Sequence, residues 1–360
     1  MFQALPPCGI DFLLKNEGLL ENLSQKKIGL LTHQNALTQN YKPSAFVLRE
    51  RLGEALRCIL TPEHGWSGFI PDGIEIDHGF DSELKCPLFS LYGGDKKYLD
   101  FMRDENIEAL LIDLQDVGLR CYTYVATCAQ LLEACAGTSL EIIICDRPNP
   151  LGSSSKGPQL EPRYRSLVGY LNVPFQHGQT MGELLTTYNQ SLGEKKLPLT
   201  VIPCQRFHQP FHYPWIPPSP HLPSWEAVLL YPALVLLEGT TISEGRGTSI
   251  PFTSLGAPGL DHLSLVNFLN EIEKSGIRAR PLTFTPTSSK FKGQDCQGAH
   301  LLLTDPAQLD AFSLGIKIIS FLKDHSPGFE WTPMENKKDA YFIDYLLGTS
   351  SFRKILDKMH

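Results

Sequence analysis

Four apolar runs in this chain each end abruptly in a dense polar cluster, a pattern that strongly constrains the fold. Ala55–Leu60 runs into Thr61-Pro62-Glu63-His64-Gly65, and Ala109–Ile112 into the stretch Asp113 to Tyr124. Glu141–Cys145 runs into Asp146-Arg147-Pro148-Asn149-Pro150, and Val228–Leu237 into the stretch Glu238 to Thr248. All four runs read as buried strands. In an open parallel sheet, ligands bind in the crevice outside the carboxyl ends of the strands. One polar strand end is a turn; four point to one shared site.

Between these runs the chain alternates strand-like and helix-like segments. Lys27–Thr32 and Leu199–Pro203 read as further strands, with helices expected at Ser44–Leu56, Asp95–Asn106 and Thr123–Ala136. A helix at Thr180–Ser191 opens with a Thr180-x-x-Glu183 capping box. Such alternation with continuous apolar strands implies an α/β fold, a doubly wound and mostly parallel sheet covered on both faces. At 360 residues two domains are expected. Between Phe207 and Trp225 stand prolines 210, 214, 217, 218, 220 and 223 with His208, His212 and His221, a stiff extended connector. This places a first domain at 1–225 and a smaller α+β domain at 226–360, packed over the carboxyl edge of the sheet. Helices near Leu263–Lys274 and Ala307–Lys323 and strands near Arg280–Thr285 and His300–Thr304 fill the second domain.

The remaining composition mainly excludes. A net charge of −7 argues against a nucleic-acid partner. The longest apolar run, Ala227–Leu237, is broken by Tyr231-Pro232 and is far short of the ~20 residues of a membrane span. The first residues lack a secretion-signal pattern, so a cytoplasmic protein is expected, or a periplasmic or secreted one if the chain has been trimmed. The nine cysteines are scattered without a Cys-x-x-Cys pair and read as reduced structural thiols. Neither dinucleotide nor P-loop phosphate motif is present, and His64, His78 and His177 lack metal-ligand spacing. No cofactor and no required metal are expected. Ser153/Lys156 and Ser289/Lys292 match Ser-x-x-Lys but lack the partner motifs of serine acyl-transfer enzymes.

Glu63 is the sharpest chemical candidate, held in a rigid Pro-Glu-His-Gly turn with His64 and with Trp66 nearby. A carboxyl desolvated by an aromatic and apolar wall keeps its proton more readily, as a general acid near neutral pH requires. The plain alternative is a strand-end residue capping the turn. Asp113, Gln115, Asp116, Arg120, Tyr122 and Tyr124 read as a polar floor for hydroxyl-rich ligands, or as an Asp–Arg pair that fixes the loop. Asp146, Arg147 and Asn149 sit on a proline-frozen backbone and divide in the same way between ligand binding and structure. His177 precedes the capped helix, whose positive end suits an anion, although a lone histidine is usually structural. Glu238, Glu244 and Arg246 share a glycine-rich loop that permits close approach. There Arg246 either meets a substrate carboxylate or pairs internally with Glu244.

With these clusters in place, the chain resembles the NamZ exo-β-N-acetylmuramidases, a bacterial family long known only as a domain of unknown function. The resemblance is carried by Gly9-Ile10-Asp11, Gly29-Leu30-Leu31-Thr32, Pro62-Glu63-His64-Gly65 and Ser90-Leu91-Tyr92-Gly93. It continues through Asp113–Tyr124, Asp146–Pro150, His177–Glu183, Pro217–Pro220 and Glu238–Thr248. One departure is His33-Gln34-Asn35-Ala36-Leu37, where the family usually has Thr-Asn-Gln-Thr-Gly. The absent secretion signal, often present in the family, is another. The resemblance implies a Rossmann-like domain joined to a smaller C-terminal one, with the active site in the cleft between them. It also implies release of N-acetylmuramic acid from the non-reducing end of peptidoglycan fragments, with Glu63 matching the family's acid.

Glycosidases usually pair two carboxylates, ~5–5.5 Å apart when retaining and ~6.5–9.5 Å when inverting. Asp113, Asp116, Glu238 and Glu244 are the possible partners of Glu63, and Glu63, Asp116 and Glu244 form the expected catalytic set. A route assisted by the sugar's own acetamide is also open. Muramic acid differs from N-acetylglucosamine by a lactyl carboxylate, which an arginine fork suits; Arg246 is expected to read it. The rival function is a non-catalytic binder of peptidoglycan or sugar.

Overall fold

The computed structural model describes residues 5–93, 96–208, 210, 213–335, 337 and 339–358. Asp95, where a helix was expected to start, His212 of the proline-rich stretch and the first four residues lie outside them. The chain divides into two compact units. The first comprises Met1–Gly118, Tyr122–Gly152 and Gln179–Pro220; the second comprises Leu119–Cys121, Ser153–Gly178 and His221–His360. Residues 119–121 and 153–178 thus group with the C-terminal part.

In chain order the strands are β1 (Ile28–Leu31), β2 (Leu56–Thr61), β3 (Gly79–Asp81), β4 (Cys86–Ser90), β5 (Ala109–Ile112) and β6 (Glu141–Cys145). Then come β7 (Lys156–Gln159), β8 (Pro174–Gln176), β9 (Leu199–Ile202), β10 (Ser254–Ala257), β11 (Ile277–Phe284) and β12 (Cys296–Leu303). The first unit is built on a seven-stranded sheet in the order β3-β4-β2-β1-β5-β6-β9. Every pairing is parallel except β3 with β4. Every residue of β1 and β5 is buried, so both faces of the sheet centre are covered. On one face Leu13, Leu23 and Leu48 of the N-terminal helices pack with Ile28, Leu30 and Ile59 in one apolar cluster.

The strand order reverses between β1 and β5. From β1 the chain moves outward to β2 and β4, then re-enters beside β1 at β5 and proceeds to β6 and β9. This is a topological switch point, where two loops diverge and leave a crevice. The loops are tied at their base: Thr32 Oγ1 donates to Asp113 O at 2.9 Å, and Asp113 N to Leu31 O at 3.0 Å. The helix Gly9–Lys15 closes against the ends of β6 and β9, where a Cβ on Gly9 would lie 2.3 Å from Ile202 O. Only glycine permits that approach.

The second unit carries a three-stranded antiparallel sheet, β10-β12-β11, and the β7-β8 hairpin. Its helices are Trp225–Leu234, His262–Glu271, Ala311–His325, Phe342–Leu347 and Ser351–Lys358. The fourth apolar run, expected as a strand at Val228–Leu237, is helical: Trp225–Leu234 continues into a 3₁₀ turn at Val235–Gly239. Ser224 caps that helix by accepting from Ala227 N at 3.2 Å. The helix is buried on nearly every side, so it shows no polar face and its period is invisible in sequence. A Cβ on Gly315 would fall 2.7 Å from Ala233 O, so the helix Ala311–His325 packs backbone to backbone against it.

Candidate active site

Glu63 lies just past the end of β2, in the first unit. The β2–β4 ladder reaches Thr61 and Ser90, and Leu91 N donates to Thr61 O at 2.8 Å, which brings the chain after β4 alongside the turn. The turn is tight. Gly65 N donates to Pro62 O at 3.1 Å, and His64 and Gly65 both take positive φ, +71° and +67°. A non-glycine residue there costs on the order of 1–3 kcal/mol and persists only when its surroundings hold it. His64 is held by its ring, whose Nδ1–H donates to Ile70 O at 2.7 Å.

The Glu63 carboxylate is buried and met by donors. Thr123 Oγ1 donates to Oε2 at 2.7 Å, and Gly73 N to Oε1 at 3.2 Å. Burial, then the nearby Glu63 charge, push the Tyr92 phenol up to about 12. The expected aromatic wall takes another form. Trp66 packs on Phe46, ring centroids 6.3 Å apart, and against the apolar cluster beneath the sheet. Tyr92 was absent from the sequence-derived candidates: its Ser-Leu-Tyr-Gly segment was visible, but nothing in it says which strand end the tyrosine joins.

Tyr124 and Tyr122 meet at a tilt of 55°, with centroids 4.7 Å apart. The Tyr124 hydroxyl donates to Pro218 O at 2.6 Å and lies 3.3 Å from Glu63 O, while Asn35 Nδ2 donates to Pro217 O at 3.0 Å. The proline-rich stretch is thus pinned to the carboxyl edge of the first unit's sheet.

The next two strand ends form an anchoring network. Asp113 pairs with Arg147: Nε to Oδ1 at 2.6 Å, Nη2 to Oδ2 at 2.9 Å. Burial opposes the guanidinium charge, but the Asp113 carboxylate outweighs it and raises the Arg147 pKa. Asp146 accepts from Thr180 Oγ1 at 2.5 Å and from Gly182 N at 2.9 Å, fastening the helix Met181–Ser191 to β6. Burial raises its pKa despite these donors. Asn149 bridges Gln179 O and Leu151 N at 2.9 Å each, and Gln115 Nε2 donates to Pro148 O at 2.8 Å. Asp116 accepts from Gly118 N at 2.7 Å, closing its own turn. Asp146, Arg147 and Asn149 thus make the anchoring contacts of the structural alternative.

Arg120 does not pair with Asp113 or Asp116. It belongs to the second unit, where its guanidinium donates to Pro158 O at 2.9 Å, Val173 O at 2.6 Å and Leu346 O at 3.2 Å. His177, also in the second unit, is buried.

His33, at the switch point, was read in sequence only as a family departure. Its Nδ1 accepts from Asn35 N at 3.1 Å, it is 1% exposed, and its ring lies 5.8 Å from that of Tyr124. Burial, then the Arg147 and His64 charges, lower its pKa to about 3. It is a neutral imidazole carrying its proton on Nε2.

The second unit holds a separate charge cluster. Arg246 Nη1 pairs with Glu238 and, at 3.3 Å, with Glu244. Lys290 Nζ reaches Glu244 Oε2 at 3.0 Å, Leu237 O at 2.8 Å and Ile242 O at 2.9 Å. Lys290 was not among the sequence candidates, because it lies over 40 positions from its partners. Glu244 is the interior carboxylate at 2% exposed, whereas Glu238 keeps 19%. Burial raises the Glu238 pKa beyond what Arg246 lowers it; for Glu244 burial is outweighed by Lys290 and Arg246, and its pKa falls. The internal Glu244–Arg246 pair is formed, widened to four groups.

Against known families, residues 28–226 match the model for the exo-beta-N-acetylmuramidase NamZ N-terminal domain, and residues 229–360 that for its C-terminal domain. The chain belongs to the NamZ family. It is 37% identical over 325 residues to the peptidoglycan beta-N-acetylmuramidase NamZ of Bacillus subtilis (strain 168), covering 89% of this chain and 78% of that one. Two solved DUF1343 family proteins of Bacteroides fragilis NCTC 9343 share the fold. One has a TM-score of 0.82 at 26% identity, covering 98% of this chain and 91% of its own. The other has a TM-score of 0.73 at 28% identity, covering 99% and 92%. Among the described residues of this NamZ chain, no helix is long and apolar enough to cross a membrane.

Proposed function

We propose that this protein is an exo-β-N-acetylmuramidase, a glycosidase that hydrolyses the β-linked muramic acid at the non-reducing end of peptidoglycan fragments. Membership of the NamZ family along almost the whole chain carries this reading. The site chemistry supports it. Glu63 stands at a strand end beside a topological switch point, where an open parallel sheet takes its ligands. Its carboxyl is buried and fixed in orientation, as proton transfer to a leaving oxygen demands.

In this reading Glu63 protonates the glycosidic oxygen as the bond to the anomeric carbon breaks. The second role falls to another carboxylate or to the substrate's own acetamide. In the same unit, Asp113 is held by Arg147, and Asp116 has Oδ2 taken by Gly118 N. Glu244 is enclosed by Lys290 and Arg246, which suits a structural anion better than a nucleophile.

The test is directional. Two fragments are incubated with the protein, one ending in muramic acid at its non-reducing end and the other in N-acetylglucosamine, and products are read by mass spectrometry. Release of a single free muramic acid from the first alone is expected. Cleavage inside the chain, or release from the second fragment, contradicts the exo-muramidase reading.

A further inference from the structure

The segment that follows the Glu63 turn divides its apolar side chains between two environments. A Cβ on Gly65 would meet Ile70 Cδ1 at 3.0 Å and Ile76 Cδ1 at 3.2 Å, so these two side chains pack on the turn itself. Phe69 and Ile74 instead stand half exposed, at 54% and 50%. Each adjoins a residue bonded to the turn. Ile74 follows Gly73, whose N–H donates to Glu63 Oε1 at 3.2 Å, and Phe69 precedes Ile70, whose carbonyl accepts from the His64 ring at 2.7 Å. Phe69 N also donates to Ser67 Oγ at 3.3 Å, and Gly68 N to Gly65 O at 3.1 Å. The bonds that fix Glu63 therefore fix these two residues beside it. Trp66 packs on Phe46 and the apolar cluster, which leaves Phe69 as the exposed ring of this turn.

We propose that Phe69 and Ile74 form the platform for the leaving sugar, the N-acetylglucosamine from which the terminal muramic acid is cut. The inference rests on the acid role proposed for Glu63. A general acid stands within hydrogen-bond reach, ~2.6–3.2 Å, of the oxygen it protonates. That oxygen departs with the leaving sugar, so this ring passes beside the carboxyl. Consecutive Cα atoms are about 3.8 Å apart, which keeps Ile74 close to the amide that holds Glu63. A pyranose presents flat C–H faces, and the negative face of an aromatic ring complements them. Charge selects the same sugar. Residues 66–80 include the exposed Asp72, Glu75 and Asp77 and no lysine or arginine. Such a rim repels an anionic muramic acid and admits a neutral N-acetylglucosamine.

The experiment compares wild type, Phe69→Ser, Ile74→Ser and Glu63→Gln on two substrates. One is the disaccharide of N-acetylmuramic acid and N-acetylglucosamine; the other is N-acetyl-β-muramyl fluoride, whose leaving group carries no ring. Phe69→Ser and Ile74→Ser change half-exposed side chains and are expected to leave the melting temperature unchanged. Each should lower kcat/KM on the disaccharide roughly five- to tenfold and on the fluoride by no more than about twofold. Equal losses on both substrates, or no loss on either, overturn the platform, while loss of disaccharide turnover in Glu63→Gln keeps the acid role standing. If Glu63→Gln turns over the disaccharide at the wild-type rate, the acid role fails and the inference with it. Sedimentation checks the other occupant. A wild-type dimer that Phe69→Ser converts to monomer would assign this face to a second copy of the chain and overturn the platform.

Discussion

Asp113 and Arg147 form a two-point ion pair that joins the ends of β5 and β6, with Nε–Oδ1 at 2.6 Å and Nη2–Oδ2 at 2.9 Å. Asp113 is fully buried and Arg147 nearly so, and Arg147 Nη2 also reaches Leu37 O at 3.0 Å. Removing one partner leaves the other charged and unpaired in the interior, which typically costs about 3–5 kcal/mol. Arg147→Met should therefore lower the unfolding free energy by that order in urea denaturation, and lower activity through the folded fraction. A variant of unchanged stability with a raised KM would show that Arg147 serves the ligand and not the frame.

His33 gives a stability dependence on pH. Its folded pKa of about 3 lies below the ordinary histidine value of 6.5, so between these values the unfolded chain binds more protons. Stability from this group is complete above pH 6.5 and declines as pH falls, by about 1.4 kcal/mol per unit. His33→Gln should flatten the fall of melting temperature between pH 6 and pH 4. Parallel curves for the two proteins would mean that the imidazole gains a proton in the folded state.

Lys290 tests the second unit's cluster. Lys290→Met strips Glu244 of its closest cation and leaves the Leu237 and Ile242 carbonyls without their donor. Because Lys290 is partly exposed, the expected loss is about 2–3 kcal/mol, below that of a fully buried pair. The Glu244 pKa is lowered in the folded state, so its stabilisation is present above the unfolded value of 4.5 and is lost as pH falls through the folded one. The gap between wild type and variant should close in acid. A gap constant from pH 7 to pH 3 would place the effect in the carbonyl contacts alone.

What the sequence disclosed follows from burial. β1, β2, β5 and β6 are buried almost throughout, so each reads as an apolar run that stops where the chain meets polar surroundings. The same rule misreads the helix Trp225–Leu234, because a helix buried all round is apolar all round. Residues 153–178 are polar and short-stranded, and they join the second unit through contacts such as Arg120 N to Phe175 O at 2.8 Å, which no local pattern encodes. Among the candidate residues, Glu63 was legible from its rigid turn. Lys290 acts at a distance in sequence, and only folding reveals its partners. Arg120, Asp146 and Arg147 were legible as polar strand-end residues; whether each binds backbone or ligand depends on neighbours that sequence does not name.

The central claim, that Glu63 drives release of terminal muramic acid, is tested most directly by the rate of free N-acetylmuramic acid formation from the disaccharide. Wild type and Glu63→Gln are compared at equal folded concentration, verified by circular dichroism. Loss of general-acid assistance typically costs 10²–10⁴-fold, so Glu63→Gln should lower kcat by roughly that factor while the disaccharide still binds. Near-wild-type turnover by Glu63→Gln, or tight binding without product from the wild-type protein, would contradict the account.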